Sequence, residues 1–203
     1  MNPYRKRILS LISPLLSDLA DPTSILDFGC GDGWFASQIS ALLPHAKLTA
    51  IDVKRRKDVL IDPVIYTAGD PLPFADASFD LVYAIDVLHH CDSPQRYLDE
   101  LARVARRFIL IKDHTYEGTL GYITLAILDE LGNRRFGIPS PQHYQHGWEW
   151  AEHLANRNWK ARAMIHPCPC HTGPLGTLSN HLQYVALYER GGERFDPEKL
   201  QSR

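Results

Sequence analysis

Residues 24–34 read SILDFGCGDGW, and this stretch decides the fold. Ser24–Phe28 is a short apolar run of the length expected for a buried strand. Gly29, Gly31 and Gly33 follow it at two-residue spacing. Glycines let the backbone turn tightly and approach a ligand where a Cβ would clash. Behind them Phe35, Ile39, Leu42 and Leu43 keep helical spacing as far as Pro44, so the turn opens a helix whose first N–H groups are free. Strand, glycine turn and helix together form the opening unit of a nucleotide-binding α/β sheet.

Outward from this unit the alternation continues. Lys47–Val53 (KLTAIDV) reads as a second strand, Val64–Tyr66 as a weak third, Phe79–Ile85 as a fourth and Phe108–Ile111 as a fifth. Pro94, behind Asp92 and Ser93, starts a helix continued by Tyr97, Leu98, Leu101 and Val104. Before the first strand, Ile8, Ile12, Leu15, Leu16 and Leu19 share one face of an amphipathic helix within residues 1–20. After the fifth, Leu120, Ile123, Ile127, Leu128 and Leu131 form an apolar helical stripe that stops at Gly132–Asn133. Residues 134–145 read as a loop and Trp148–Asn156 as a short helix. Trp159–Ile165 and His181–Tyr188 read as strands separated by a Pro/Gly/Cys loop. The expectation is a doubly wound, Rossmann-like α/β domain over residues 1–190, with helices on both faces and a flexible tail over 191–203.

Composition narrows the function classes. The 203 residues are 44% hydrophobic and 23% charged, which excludes a wholly disordered chain. Twenty-two basic against 24 acidic side chains leave a net charge of −2, so no broad positive field draws nucleic acid or an anionic membrane. No apolar run reaches the length of a membrane-spanning helix. In the N-terminal stretch, Ser10, Ser13, Pro14, Ser17 and Asp18 break the run that a signal peptide needs. Cys30, Cys91, Cys168 and Cys170 are too few and scattered for a disulfide scaffold, which points to a reducing cytoplasm.

Asp52 closes the second strand 23 residues after Gly29, where an acid can accept hydrogen bonds from ribose hydroxyls. A dinucleotide fingerprint would place its third glycine on Trp34, whereas the spacing here is G-x-G-x-G with Asp27 two residues ahead. An acid at Asp27 suits the ammonium group of an amino-acid-bearing nucleoside better than a pyrophosphate.

At these residues the sequence resembles the class I S-adenosylmethionine-dependent methyltransferases, most closely the small-molecule branch containing the ubiquinone/menaquinone-type enzymes. ILDFGCGDG is similar to that family's first motif and AIDV to its acidic second. Gly69-Asp70 with Leu72-Pro73-Phe74 and Ser78-Phe79-Asp80 matches its third segment, AIDVLHH its fourth, and Glu100-Leu-Ala-Arg103-Val104 its following helix. The resemblance covers about residues 22–113 and implies a three-layer, seven-stranded sheet with an antiparallel last strand lying between strands five and six.

The resemblance also implies S-adenosyl-L-methionine as cofactor, with S-adenosyl-L-homocysteine as product. Asp27 and the turn Gly29, Cys30, Gly31, Gly33 and Trp34 would hold the methionine moiety. Asp52 and Val53 would hold the ribose side, Asp70 would meet the adenine amino group, and Ile85 and Asp86 would lie beside the sulfonium. Two departures stand out. Pro71 directly follows Asp70 and offers no N–H, and Ala105-Arg106-Arg107 replaces the usual Pro-Gly-Gly turn.

Methyl transfer needs an aligned acceptor and, for a hydroxyl, a base. His89 and His90 follow strand four, and Asp113 and His114 follow strand five; His90 and His114 are the leading candidates for the base. Residues 115–147 form an acceptor-side insertion whose helix either roofs a small apolar or aromatic acceptor or pairs with a second copy of the chain. RNA or protein methylation, a cofactor-binding protein without transferase activity, and NAD chemistry are the alternatives. His166, Cys168, Cys170, His171 and His181 lack standard zinc spacing, so no metal is expected there. The basic clusters Arg55-Arg56-Lys57 and Arg134-Arg135 read as solvated turns.

Overall fold

The computed structural model describes residues 2–133 and 141–191. Its central path of strands is β1 (Ser24–Phe28), β2 (Lys47–Asp52), β3 (Val64–Ile65), β4 (Phe79–Ile85), β5 (Ala105–Tyr116), β7 (Trp159–Ile165) and β8 (Gln183–Arg190). Their order across the sheet is β3-β2-β1-β4-β5-β8-β7. The first five are parallel, and β8 runs antiparallel to both β5 and β7. This is the expected seven-stranded doubly wound sheet, with its last strand lodged between the fifth and sixth. One addition is a two-residue strand, β6 (Gln145–His146), which pairs with the end of β5.

Strand periodicity of two sends alternate side chains to opposite layers. Leu81, Tyr83 and Ile85 of β4 and Phe108 and Leu110 of β5 pack with Ile8, Ile12 and Leu16 of α1 (Pro3–Ser17) and Ile39 of α2 (Trp34–Leu42). Val82, Ala84, Ile109 and Ile111 face the other way. There they meet Leu98 and Leu101 of α3 (Pro94–Val104) and Trp150 and Leu154 of α5 (Glu149–Ala155). Three layers follow from that alternation.

β5 is longer than the FILI run, because α3 passes into it at Ala105 without an intervening turn. The Arg190 guanidinium supplies the missing donors, reaching the carbonyls of Ala102 at 2.6 Å and Ala105 at 2.7 Å. The Glu100–Arg103 pair holds the Leu72-Pro73-Phe74 segment. Glu100 accepts from the Leu72 N–H at 2.7 Å, and Arg103 donates to the carbonyls of Leu72 and Phe74.

The segment expected as a loop before the last strand contains a helix, α6 (Gly173–Ser179), and a 3-10 turn, Asn180–Leu182. Pro174 at its start and the Ser179 hydroxyl bonding back to the Leu175 carbonyl allow a helix that composition alone disguised. The insertion helix is α4 (Thr119–Asn133). Leu125 is buried, whereas Leu120, Ile123, Ile127 and Leu131 stay exposed. The expected loop through Arg134-Arg135 and the tail beyond Gly191 lie outside the described residues. Among the described residues no helix is long and apolar enough to cross a membrane.

Candidate functional site

The carboxyl ends of β1, β2 and β4 converge on the glycine turn. Gly29 sits at φ +71°, and an added Cβ would lie 2.2 Å from Val87 Cγ2, so only glycine fits against this side chain two residues beyond β4. The turn is pinned to β2: the Gly29 and Cys30 N–H groups donate to the Ile51 carbonyl at 2.9 and 3.2 Å, and the Gly31 N–H donates to Asp52 Oδ2 at 2.8 Å. Asp32 accepts from the Trp34 N–H at 3.1 Å at the start of α2 and pairs with Arg5 of α1 at 2.6 Å. The start of α1 therefore lies over the turn.

A pocket of about 130 Å³ opens beside it, lined by Phe28, Gly29, Asp52, Val53, Tyr66, Ala68, Val87, His90, Cys91, Asp92 and Tyr97. Of the expected cofactor residues, Gly29, Asp52 and Val53 line it. Cys30, Gly31, Gly33 and Trp34 shape the turn behind. Asp70 is exposed, on the turn after β3, and is not in the lining.

Asp27 is buried under the turn, and its Oδ2 has no hydrogen-bond partner. Burial raises its carboxyl from an ordinary 3.8 to about 7; Asp52 and Asp32 add to the rise, and the nearby Tyr83 hydroxyl, short of hydrogen-bond geometry, opposes it. A buried, unpaired acceptor next to an open pocket is a receptor for a cationic donor. Burial pushes the Cys30 thiol up to about 12, so it fills space and is no nucleophile at neutral pH.

Asp86 is not in the pocket lining. It holds a left-handed φ of 53° at the end of β4 and accepts from the Tyr4 hydroxyl at 2.8 Å and from the Lys112 ammonium. Lys112 is fully buried and also donates to Gln183 Oε1 at 2.7 Å. Burial works against Asp86 ionising, but Lys112 overrules it and keeps the carboxyl below its ordinary value. Tyr4 stacks on His171 at 4.6 Å, closing this corner.

Beyond it, Asp113 gathers four donors. Its carboxylate accepts from His89 Nδ1 at 2.6 Å, His114 Nδ1 at 3.1 Å and the backbone N–H groups of His114 at 2.8 Å and Leu88 at 3.1 Å. A carboxylate only accepts, so both imidazoles carry their proton on Nδ1 when neutral, leaving Nε2 as the second functional atom. Burial pulls His89 down, but Asp113 and then Asp129 outweigh it and raise its pKa to about 10. His114 is lowered, first by burial and then by the charge on His89. The His90 ring lies against His89, tilted by 44° with ring centroids 4.0 Å apart. Asp129 reaches in from α4 and accepts from the Tyr144 hydroxyl at 2.9 Å.

All four expected acceptor-side residues, His89, His90, Asp113 and His114, thus meet in one cluster. Tyr4, Lys112, Asp129 and Gln183 escape a motif reading. A charged Lys112 ending the apolar FILI run and an acid at Asp129 inside an apolar helix were the signals available for two of them.

Residues 26–108 match the family model for a methyltransferase domain. The chain is 33% identical over 96 residues to malonyl-[acyl-carrier protein] O-methyltransferase of Legionella pneumophila, covering 41% of this chain and 32% of that protein. It is 33% identical over 123 residues to a probable tocopherol O-methyltransferase of Oryza sativa, covering 52% and 34%. The match therefore spans about a third of the length of either relative. Among solved structures, the YcgJ protein from Bacillus subtilis superimposes with a TM-score of 0.64 at 17% identity, over 91% of this chain and 98% of that one, a likeness of fold.

Proposed function

We propose that this chain, whose residues 26–108 carry the methyltransferase domain, is a class I S-adenosylmethionine-dependent methyltransferase acting on a small-molecule acceptor. The observation that carries the reading is the unpaired Asp27 Oδ2, buried below a turn into which not even one Cβ fits and beside the pocket that Asp52 lines. These residues fit the cofactor. Asp27 receives its ammonium group, the Gly29–Gly33 turn gives the methionine backbone room, and Asp52 binds the ribose. Val53, Tyr66 and Ala68 offer an apolar slot for the base. S-adenosyl-L-methionine supplies an activated methyl group on a sulfonium when bound, and S-adenosyl-L-homocysteine remains.

The chain's own work is alignment, exclusion of water and removal of a proton. The acceptor is a hydroxyl compound with an apolar or aromatic body, in keeping with the name of the tocopherol O-methyltransferase relative. His114 is the base: Asp113 holds its Nδ1 proton and frees Nε2 to take the proton of the acceptor hydroxyl. His89, held by Asp113 and close to Asp129, orients the cluster. The buried side of α4, through Leu125 and Asp129, roofs the acceptor, and its exposed side offers a surface for a second copy. The whole acts as one domain over residues 1–190, in the cytoplasm, where the four free cysteines stay reduced.

Calorimetric titration with S-adenosylmethionine, S-adenosylhomocysteine and NAD, alongside Asp52→Ala, tests the assignment. Micromolar binding of the first two, lost in the variant, supports it. Binding of NAD alone, or of none, refutes it.

A further inference from the structure

Parallel strands are usually joined through a helix, but residues 53–63 between β2 and β3 form an irregular strap that lies across the glycine turn. The Leu60 N–H donates to the Asp32 carbonyl at 2.8 Å. A Cβ on Gly33 would come within 2.9 Å of the Ile61 nitrogen. A Cβ on Gly31 would come within 3.1 Å of Arg56 Cζ and Nη2, so the Arg56 guanidinium rests on the turn itself. The run Arg55-Arg56-Lys57, a solvated turn by sequence, is thereby divided. Arg55 pairs with Asp62 at 2.7 Å inside the strap, whereas Arg56 meets the glycines.

The glycines themselves have no donor to offer an anion. The N–H groups of Gly29 and Cys30 go to the Ile51 carbonyl, that of Gly31 to Asp52, that of Gly33 to the Cys30 carbonyl and that of Trp34 to Asp32. A glycine-rich phosphate cradle keeps such groups free. The amino-acid end of a nucleoside cofactor carries its carboxylate on the same carbon as its ammonium group. An ammonium group at Asp27 therefore brings a carboxylate alongside the turn, where it needs a cation. Both charged side chains reach Cys30: after burial, Asp27 raises its thiol pKa and Arg56 lowers it.

We infer that Arg56 receives the carboxylate of the bound nucleoside's amino-acid group, opposite Asp27, and that the pair makes the site selective for a zwitterionic end. A guanidinium fork matches a carboxylate with two parallel N–H···O bonds. Among the described residues the Arg56 guanidinium has no hydrogen bond or ion pair, and Asp32, whose charge it feels, is held by Arg5 at 2.6 Å. Arg56 is exposed, so a carboxylate reaches it without displacing another protein group. This role of Arg56 rests on the cofactor reading and supplies the cation that the ligand's second charge needs.

Arg5 is the other guanidinium at the turn, but its Nη1 is spent on Asp32, and α1 is tied down beside it through Tyr4 and Asp86. Arg56 has the free fork. A nucleoside with only one of the two charges leaves Asp27 or Arg56 unanswered and loses affinity, and NAD, which carries no amino-acid end, gains nothing from the pair.

The test titrates the full chain by calorimetry with S-adenosylhomocysteine and with S-adenosyl-3-thiopropylamine, which keeps the ammonium group and lacks the carboxylate. Wild type should bind the first about 10–100-fold more tightly. Arg56→Gln should erase that preference while leaving affinity for the thiopropylamine compound within about threefold. Arg56→Lys, a charge without the fork, should retain part of it. Lys57→Gln, which removes a neighbouring charge of the same run, should keep it whole. A preference that survives in Arg56→Gln, one erased equally by Lys57→Gln, or one erased by Arg5→Gln and not by Arg56→Gln overturns the role of Arg56. Wild type that binds both compounds equally overturns that role alone, whereas wild type that binds neither overturns the cofactor reading together with it.

Discussion

Replacing Asp27 by Asn should make the ligand-free protein more stable and the cofactor site worse. The wild-type carboxyl has a pKa of about 7 when folded against an ordinary 3.8, because it is buried without a counter-charge. Its folded value is the raised one, so the folded chain keeps a proton that the unfolded chain has released. Stability is fully present below about 3.8, falls as pH rises toward 7, and falls no further above it. At about 1.4 kcal/mol per unit, this amounts to an upper bound of about 4 kcal/mol at pH 8. Asp27→Asn removes that penalty, and its advantage should vanish near pH 4. Ligand binding moves the other way, because an ammonium group selects the ionised carboxylate. Between pH 7.5 and 5.5 the ionised fraction drops from about three quarters to about 3%, so wild-type affinity should weaken about 25-fold. Above about pH 8 the ligand's own α-amino group deprotonates and affinity should fall again. The assays are denaturant unfolding of ligand-free protein at pH 5 and 8 and calorimetry across pH 5.5–8.5 in buffers of different ionisation enthalpy. About half a proton should be released per ligand bound at pH 7. Flat affinity over the acid limb without proton release, or a variant no more stable at pH 8 than at pH 5 relative to wild type, would refute the reasoning.

Gly29→Ala combines a left-handed backbone penalty of about 1–2 kcal/mol with overpacking of about 1–3 kcal/mol against Val87; adding Val87→Ala should relieve only the second part in thermal melts. His114→Ala should lower turnover about 10²–10⁴-fold while S-adenosylhomocysteine affinity, read by calorimetry, changes less than about threefold. Lys112→Met should destabilise the fold by about 3–5 kcal/mol in urea titration, since it leaves Asp86 without its cation. Arg190→Ala should lose about 1–3 kcal/mol through the stranded carbonyls of Ala102 and Ala105, with cofactor binding unchanged.

The backbone geometry proposed to hold the cofactor was legible because it is built from local rules. A buried strand, glycines with positive φ and a following helix occupy consecutive residues, and Asp52 closes the strand that pairs beside them. Helix α1 was legible for the same reason: one apolar stripe, Ile8, Ile12 and Leu16, packs on the sheet. What escaped involves partners far apart in sequence. Tyr4 meets Asp86 and Lys112, and Gln183 completes that knot from the last strand. Helix α6 escaped because its seven residues include two glycines and a proline, which propensity alone assigns to a loop. Asp70 shows the converse: a motif match that the backbone leaves exposed, with its N–H turned to the Thr67 carbonyl and Pro71 behind it.

The division between the two halves has a physical origin. The proposed cofactor half is built largely from backbone geometry, which forbids change at positions where a Cβ would clash, as at Gly29. The proposed acceptor half is built from side chains on α1, the segment after β4, β5, α4 and β8, and each buried charge there must be answered by another. Lys112 answers Asp86, and His89 answers Asp113. Removing one partner leaves an uncompensated charge in a dry site, so these residues are energetically coupled even where they are distant in sequence. A change in α4 must therefore keep Asp129, or replace it together with its partner His89. The apolar surface of α4 at Leu120, Ile123, Ile127 and Leu131 carries no such constraint and can vary independently of the chemistry.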